Sequence, residues 1–359
     1  MICYASNMNH LLEKERYFNM SAEEFKLINP ESKTMPSCRN QYDKEILVQV
    51  YKNSKTLRNG FNKAKLTNIF NMTTHSNLFK TEIQLRLQGF KLNDNKIMEN
   101  DTLGKVYLPL YEAKLFHQYM FNFATFEGIS EKDLKTGQNT NYIDNSIGID
   151  SIKPRFWVDK NEVEQAYEVL DWNYNWTVGI RGITCATNER TSIASIIPRF
   201  GGGHSIGYIT NITAIEAIAI LFNLNSFVYD YVSRMKVGGM NFSFWIAYQQ
   251  PVITLKKLEN SGYFEKVKEN VLKLTYYHEM LRPFANDLGY YGEPFKWSNS
   301  ERLELQCELD AIAAKLYGVT GKELEYILET FPVVKRKDMD KYNCYKTKET
   351  ILKYFSNLG

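Results

Sequence analysis

The period of the apolar positions changes several times along the chain. Near the start, Ser21-Ala-Glu-Glu24 is a capping-box pattern ahead of a short helix that Asn29-Pro30 breaks. Ile46, Leu47 and Val50 share one face of a helix over 43–51. From 66 to about 158, short apolar runs at 106–110, 121–126 and 152–158 predict strands, separated by polar, turn-rich loops at 93–95 and 128–145. Asp159 then caps a helix that reaches Leu170.

Beyond Trp172 the texture is different. Residues 177–184 and 192–198 predict strands, and Phe200-Gly-Gly-Gly-His204 predicts a mobile loop. Residues 212–222 and 226–236 predict two buried helices joined at Phe222-Asn-Leu-Asn225. The last hundred residues are helical in period, over 259–272, 274–288 and 298–317. A second capping box, Thr320-Gly-Lys-Glu323, opens a helix carrying Leu324, Ile327 and Leu328. Lys335-Arg-Lys337 and a short helix over 348–354 follow, and Trp157 and Trp245 are expected in the core. The pattern predicts an α+β fold in three regions: a basic connector over 1–105, a mixed strand-and-helix core over 106–255, and a mainly α-helical region over 256–359.

Composition narrows the class. The 359 residues carry 44 Lys and Arg against 41 Asp and Glu, a formal charge of +3, which excludes binding of nucleic acid through bulk charge alone. The basic residues are unevenly placed. Residues 33–65 hold eight Lys or Arg against two acids, and 331–359 hold seven against three. The basic segment Lys335-Arg-Lys337 is a candidate phosphate-facing edge. Cys3, Cys38, Cys185, Cys307 and Cys344 are scattered without a Cys-x-x-Cys pair, as expected of free thiols in a reducing cytosol. No leader pattern opens the chain, and the longest apolar stretch, 214–222, contains Glu216. A cytoplasmic chain without a membrane partner is expected.

The residues for several chemistries are missing. There is no phosphate-binding Gly-x-x-x-x-Gly-Lys-Ser/Thr loop, no His-x-His or His-Glu-x-x-His, and no Gly-x-Ser-x-Gly elbow. An adenine methyltransferase needs Asn-Pro-Pro-Tyr or Asp-Pro-Pro-Tyr, whose head group accepts from the flipped base and whose aromatic ring stacks on it; Asn29-Pro-Glu31 lacks both the second proline and the ring. Glu112-Ala-Lys114 has only the end of a nuclease pattern. No catalytic, cofactor-binding or metal-binding residue is therefore assigned. Arg181, Arg190, Arg199 and Arg234 stand among small polar residues, where a guanidinium fork could grip guanine or phosphate, although on composition alone structural ion pairing is the favoured reading of such arginines.

Several strings point further. Ile28-Asn-Pro-Glu-Ser-Lys-Thr-Met-Pro36, Leu108-Pro-Leu-Tyr-Glu-Ala-Lys-Leu-Phe-His-Gln118, Arg155-Phe-Trp-Val158, Arg181-Gly-Ile-Thr184 and Thr187-Asn-Glu-Arg-Thr191 occur in this order. Leu224-Asn-Ser-Phe-Val-Tyr-Asp-Tyr-Val-Ser-Arg234, Lys236-Val-Gly-Gly239 and Tyr326-Ile-Leu-Glu-Thr-Phe-Pro332 continue the series. Together they resemble the C-terminal target-recognition region of adenine-specific DNA methyltransferases of Type IIG and related restriction–modification systems, with a TaqI-type specificity domain. The resemblance spans roughly residues 25 to 355.

The resemblance implies a sequence-specific DNA-binding module of a phage-defence system, with double-stranded DNA and a methyltransferase core or subunit as partners. S-adenosylmethionine and catalysis would belong to that core, which these landmarks do not include. The implied DNA contacts are Arg181, Arg190, Thr191, Arg199, His204, Arg234 and Lys236, with Arg190, Thr191 and Arg199 foremost. The alternative is a protein–protein interaction module, or a degenerate specificity subunit that does not bind DNA.

Overall fold

A computed structural model describes residues 7–31, 34–148 and 150–358; Cys3 and Lys33 lie outside them. The fold is α+β, with 46% helix and 14% strand distributed over several small sheets.

The central sheet has four antiparallel strands in the order Ala194–Pro198, Trp176–Arg181, Ile206–Thr210 and Lys65–Thr67. Every residue of Ala194–Pro198 and Ile206–Thr210 is buried, which accounts for their continuous apolar character. The helices Ala214–Leu224 and Phe227–Lys236 follow directly, and both are almost wholly buried. Thr213 and Glu216 form a reciprocal capping box at the first, and the Ser226 side chain caps the second.

The second sheet places Gly201–Gly202 parallel to Lys105–Tyr111, followed by Met98–Asn100 and Lys91–Leu92; Trp157–Asp159 also pairs with Lys105–Tyr111. Leu85, Phe90, Met98 and Trp157 form a small separate core beneath it. The main core draws on all three regions, from Ile28 through Val178 to Leu309, and the Lys65–Thr67 strand completes the central sheet from outside 106–255.

Local signals fold as read. The boxes at Ser21 and Thr320 both form, Asp159 caps Lys160–Val169, and the helices Gln41–Lys52, Asn299–Leu316 and Lys346–Asn357 occupy their expected places. Several expectations are corrected. Residues 121–126 and 152–158 contribute only Ala124–Thr125 and Trp157–Asp159 as strands. The 259–272 helix is split into Leu255–Glu259 and Phe264–Thr275 by a turn in which Gly262 takes φ +78°. The 274–288 helix gives way to a turn of 3-10 helix and Arg282–Asp287. Lys335, Arg336 and Lys337 lie within a helix, Pro332–Tyr342. Trp245 is 49% exposed, whereas Trp157 is in the core.

The glycine run is not a mobile loop. Gly201 and Gly202 pair with Leu110 and Tyr111, and both are buried. A Cβ on Gly201 would fall 2.6 Å from the Phe70 ring, and one on Gly202 2.1 Å from Tyr208 Oη. The glycines are there because two layers close directly onto the backbone.

Candidate nucleic-acid interface

Most of the cations singled out in the sequence are spent inside the fold. Arg190 donates from Nε to Asp230 at 2.8 Å and from Nη2 to the Asn225 carbonyl at 2.6 Å, with its guanidinium 4.0 Å from the Phe227 ring centre. Thr191 is fully buried; its amide donates to the same carboxylate at 3.0 Å and its hydroxyl to the Cys185 carbonyl. Arg234 reaches Asp230 at 3.3 Å and the carbonyls of Asn188, Glu189 and Thr330.

Arg199 pairs with Glu164 at 2.9 Å and holds the Trp172 and Tyr174 carbonyls at 2.6 and 2.9 Å. Arg181 donates to the Phe116 carbonyl, and burial pushes its guanidinium down to about 10. The Lys236 ammonium donates to the Ile28 and Gln249 carbonyls and to the Tyr51 hydroxyl, and burial holds it well below the usual lysine range. Of the seven residues only His204 is exposed; it follows the glycine run.

The basic stretch 33–65 behaves differently. Arg39 is taken by Asp43 at 2.7 Å, Lys44 by Glu24 at 2.5 Å and Arg58 by Glu31 at 2.7 Å. Lys52, Lys55, Lys63 and Lys65 are exposed and hold no carboxylate among the described residues. Lys63 and Lys65 flank an open groove of about 1110 Å³. Its walls also carry Arg58, Asn62, Tyr174 and Tyr248.

The groove is built from the central sheet. Lys65 pairs with Thr210 at the strand end, and the neighbouring Leu66 amide donates to Tyr248 Oη at 2.9 Å. Tyr248 in turn carries the Arg58 guanidinium 4.3 Å above its ring. Tyr174 stacks on Trp176 at 4.9 Å, and the Arg199 bond to its carbonyl fixes this wall. Arg199 thus shapes the groove from behind. Asp171 and Glu216 also line the groove, and Glu216 is occupied in the capping box with Thr213. The arrangement offers ammonium groups to phosphates, and amides and aromatic edges to bases.

A second exposed feature lies beyond the opposite end of the Trp176–Arg181 strand. Thr184 donates to the Met240 carbonyl at 3.0 Å and Phe242 to the Gly182 carbonyl at 2.8 Å, so two loops pair. They expose Ile183 and Met240. The proposed C-terminal edge is largely neutralised: Lys335 reaches Glu329 at 2.7 Å and Lys337 reaches Glu189 at 2.5 Å.

The sequence reasoning therefore passed over Lys63 and Lys65, although the excess charge of 33–65 pointed to their segment. Among the described residues no helix is long and apolar enough to cross a membrane, and no group of three or more His, Cys, Asp or Glu could hold a metal ion. No protein-family model, curated protein or solved structure matches the chain.

Proposed function

We propose that this chain is a DNA-binding target-recognition module of an adenine-specific DNA methyltransferase of a restriction–modification system. It would act in the cytoplasm and hold duplex DNA for a methyltransferase core or subunit that binds S-adenosylmethionine. The observation that carries the DNA-binding part is a pair of exposed lysines, Lys63 and Lys65, that hold no carboxylate among the described residues and stand beside a groove lined with asparagine and tyrosine. The methyltransferase context rests on the resemblance in sequence. Arg199 serves this reading by holding the Trp172 and Tyr174 carbonyls in the groove wall.

Retention on immobilised duplex DNA tests the reading. The chain should bind at low salt and elute earlier when Lys63→Ala and Lys65→Ala are combined. Passage of the unaltered chain straight through the column would contradict it. The exposed Ile183, Met240 and Trp245 favour a second reading, a docking module for a partner protein. Partner binding that is insensitive to salt and to the lysine changes would support that alternative.

A further inference from the structure

A cavity of about 250 Å³ with a mixed apolar and polar lining lies between the start of the Phe227–Lys236 helix, the long Asn299–Leu316 helix, the Pro332–Tyr342 helix and segment 117–120. Asp310 stands in its wall, 7% exposed. Its Oδ1 accepts the Phe227 amide at 2.6 Å. Its Oδ2 accepts nothing from a described residue, is not sealed from solvent, and belongs to a residue that lines the cavity. A buried carboxylate with half its acceptor capacity unmatched is unfavourable when ionised.

The neighbouring cations are committed elsewhere. Arg190 serves Asp230 and the Asn225 carbonyl, and Lys337 serves Glu189. Around the cavity these two cations face the three carboxylates of Glu189, Asp310 and Asp338, an excess of one negative charge when Asp310 is ionised. A ligand that matches this wall brings one positive charge and an N–H donor, and is small enough for the space.

We propose that the cavity is a binding site for a small organic monocation, a short alkylammonium, whose N–H group pairs with Asp310 Oδ2. The inference does not rest on the DNA-binding reading. Burial raises the Asp310 carboxyl to about 7, with Asp230 adding to the rise and Arg190 opposing it. Binding of an ammonium therefore requires Asp310 to lose its proton, and affinity grows with pH through neutrality. The other titratable groups facing this space are His117, Tyr119 and Cys307, besides the charged Glu189, Arg190, Asp230, Lys337 and Asp338; burial, with Asp310 adding to it, raises the Tyr119 hydroxyl, so it stays neutral. Burial, reinforced by Arg181 and Arg190, keeps His117 neutral, and burial keeps Cys307 a thiol.

Calorimetric titration of the 359-residue chain with n-butylammonium chloride tests the site. Saturable binding is expected, about tenfold tighter at about pH 8 than at about pH 6. It should be lost in Asp310→Asn and absent for tetramethylammonium, which has no N–H. No saturable heat at either pH, binding that survives Asp310→Asn, or equal binding of tetramethylammonium would overturn the proposal. Should Asp310→Asn fail to fold, the pH ratio in the unaltered chain decides, and a pH-independent affinity overturns it.

Discussion

Arg190 and Asp230 meet inside the fold, Nε to Oδ2 at 2.8 Å, and the carboxylate has no exposed surface. The same carboxylate receives the Thr191 amide and, at 3.3 Å, Arg234. Three of the residues that the sequence offers as DNA contacts are thus gathered on one buried acid. It ties the segment after the Trp176–Arg181 strand to the Phe227–Lys236 helix.

Removing that acid should be costly. Asp230→Ala leaves Arg190 buried without its counter-charge, and a loss of about 3–5 kcal/mol is expected. Urea unfolding measures it. A midpoint equal to that of the unaltered chain would show that the pair does not hold the fold.

Arg199 acts chiefly through two carbonyls. Its ion-pair partner Glu164 is 37% exposed and contributes little. The bonds to the Trp172 and Tyr174 carbonyls, at 2.6 and 2.9 Å, are the ones whose loss matters, and Arg199→Ala should cost about 1–3 kcal/mol in a thermal or urea melt. Stability unchanged in the variant would return Arg199 to the set of candidate DNA contacts.

The close approach at the glycine run gives a third expectation. In Gly202→Ala the new methyl group meets Tyr208 Oη at 2.1 Å, so the ring or the Gly201–Gly202 pairing must move. A loss of about 1–3 kcal/mol follows from overpacking. A variant as stable as the parent would mean that the layers are not closed onto this backbone.

Asp310 makes stability depend on pH with a definite sign. Its folded value is raised from 3.8 to about 7, so the folded chain holds this proton more tightly than the unfolded chain. The contribution is fully present below about pH 4, declines as pH rises to about 7, and is then flat. The stability difference between the parent and Asp310→Asn should change across that window by at most about 4 kcal/mol, against the parent as pH rises. Melts from acid to neutral pH that run parallel for the two proteins would contradict it.

The elements legible in the sequence are those whose cause is local. Ser21 with Glu24 and Thr320 with Glu323 close capping boxes within one turn, and both helices start where the pattern places them. The role of an arginine is not local. Arg190 finds Asp230 forty positions away and Arg199 finds Glu164 thirty-five away, and no periodicity announces either meeting. The glycine run read as a loop because its parallel partners, Leu110 and Tyr111, lie some ninety residues earlier. The basic excess of 33–65 was visible, but only the folded ion pairs of Arg39, Lys44 and Arg58 separate the spent cations from Lys63 and Lys65.

The central claim is that these lysines meet DNA phosphates. Fluorescence anisotropy of a labelled duplex, titrated with the chain over a range of salt concentrations, tests it most directly. The logarithm of affinity should fall linearly with the logarithm of salt, and the slope should shrink by about two when Lys63→Ala and Lys65→Ala are combined. A duplex that is not bound at low salt, or a slope that the two changes leave untouched, would contradict the account.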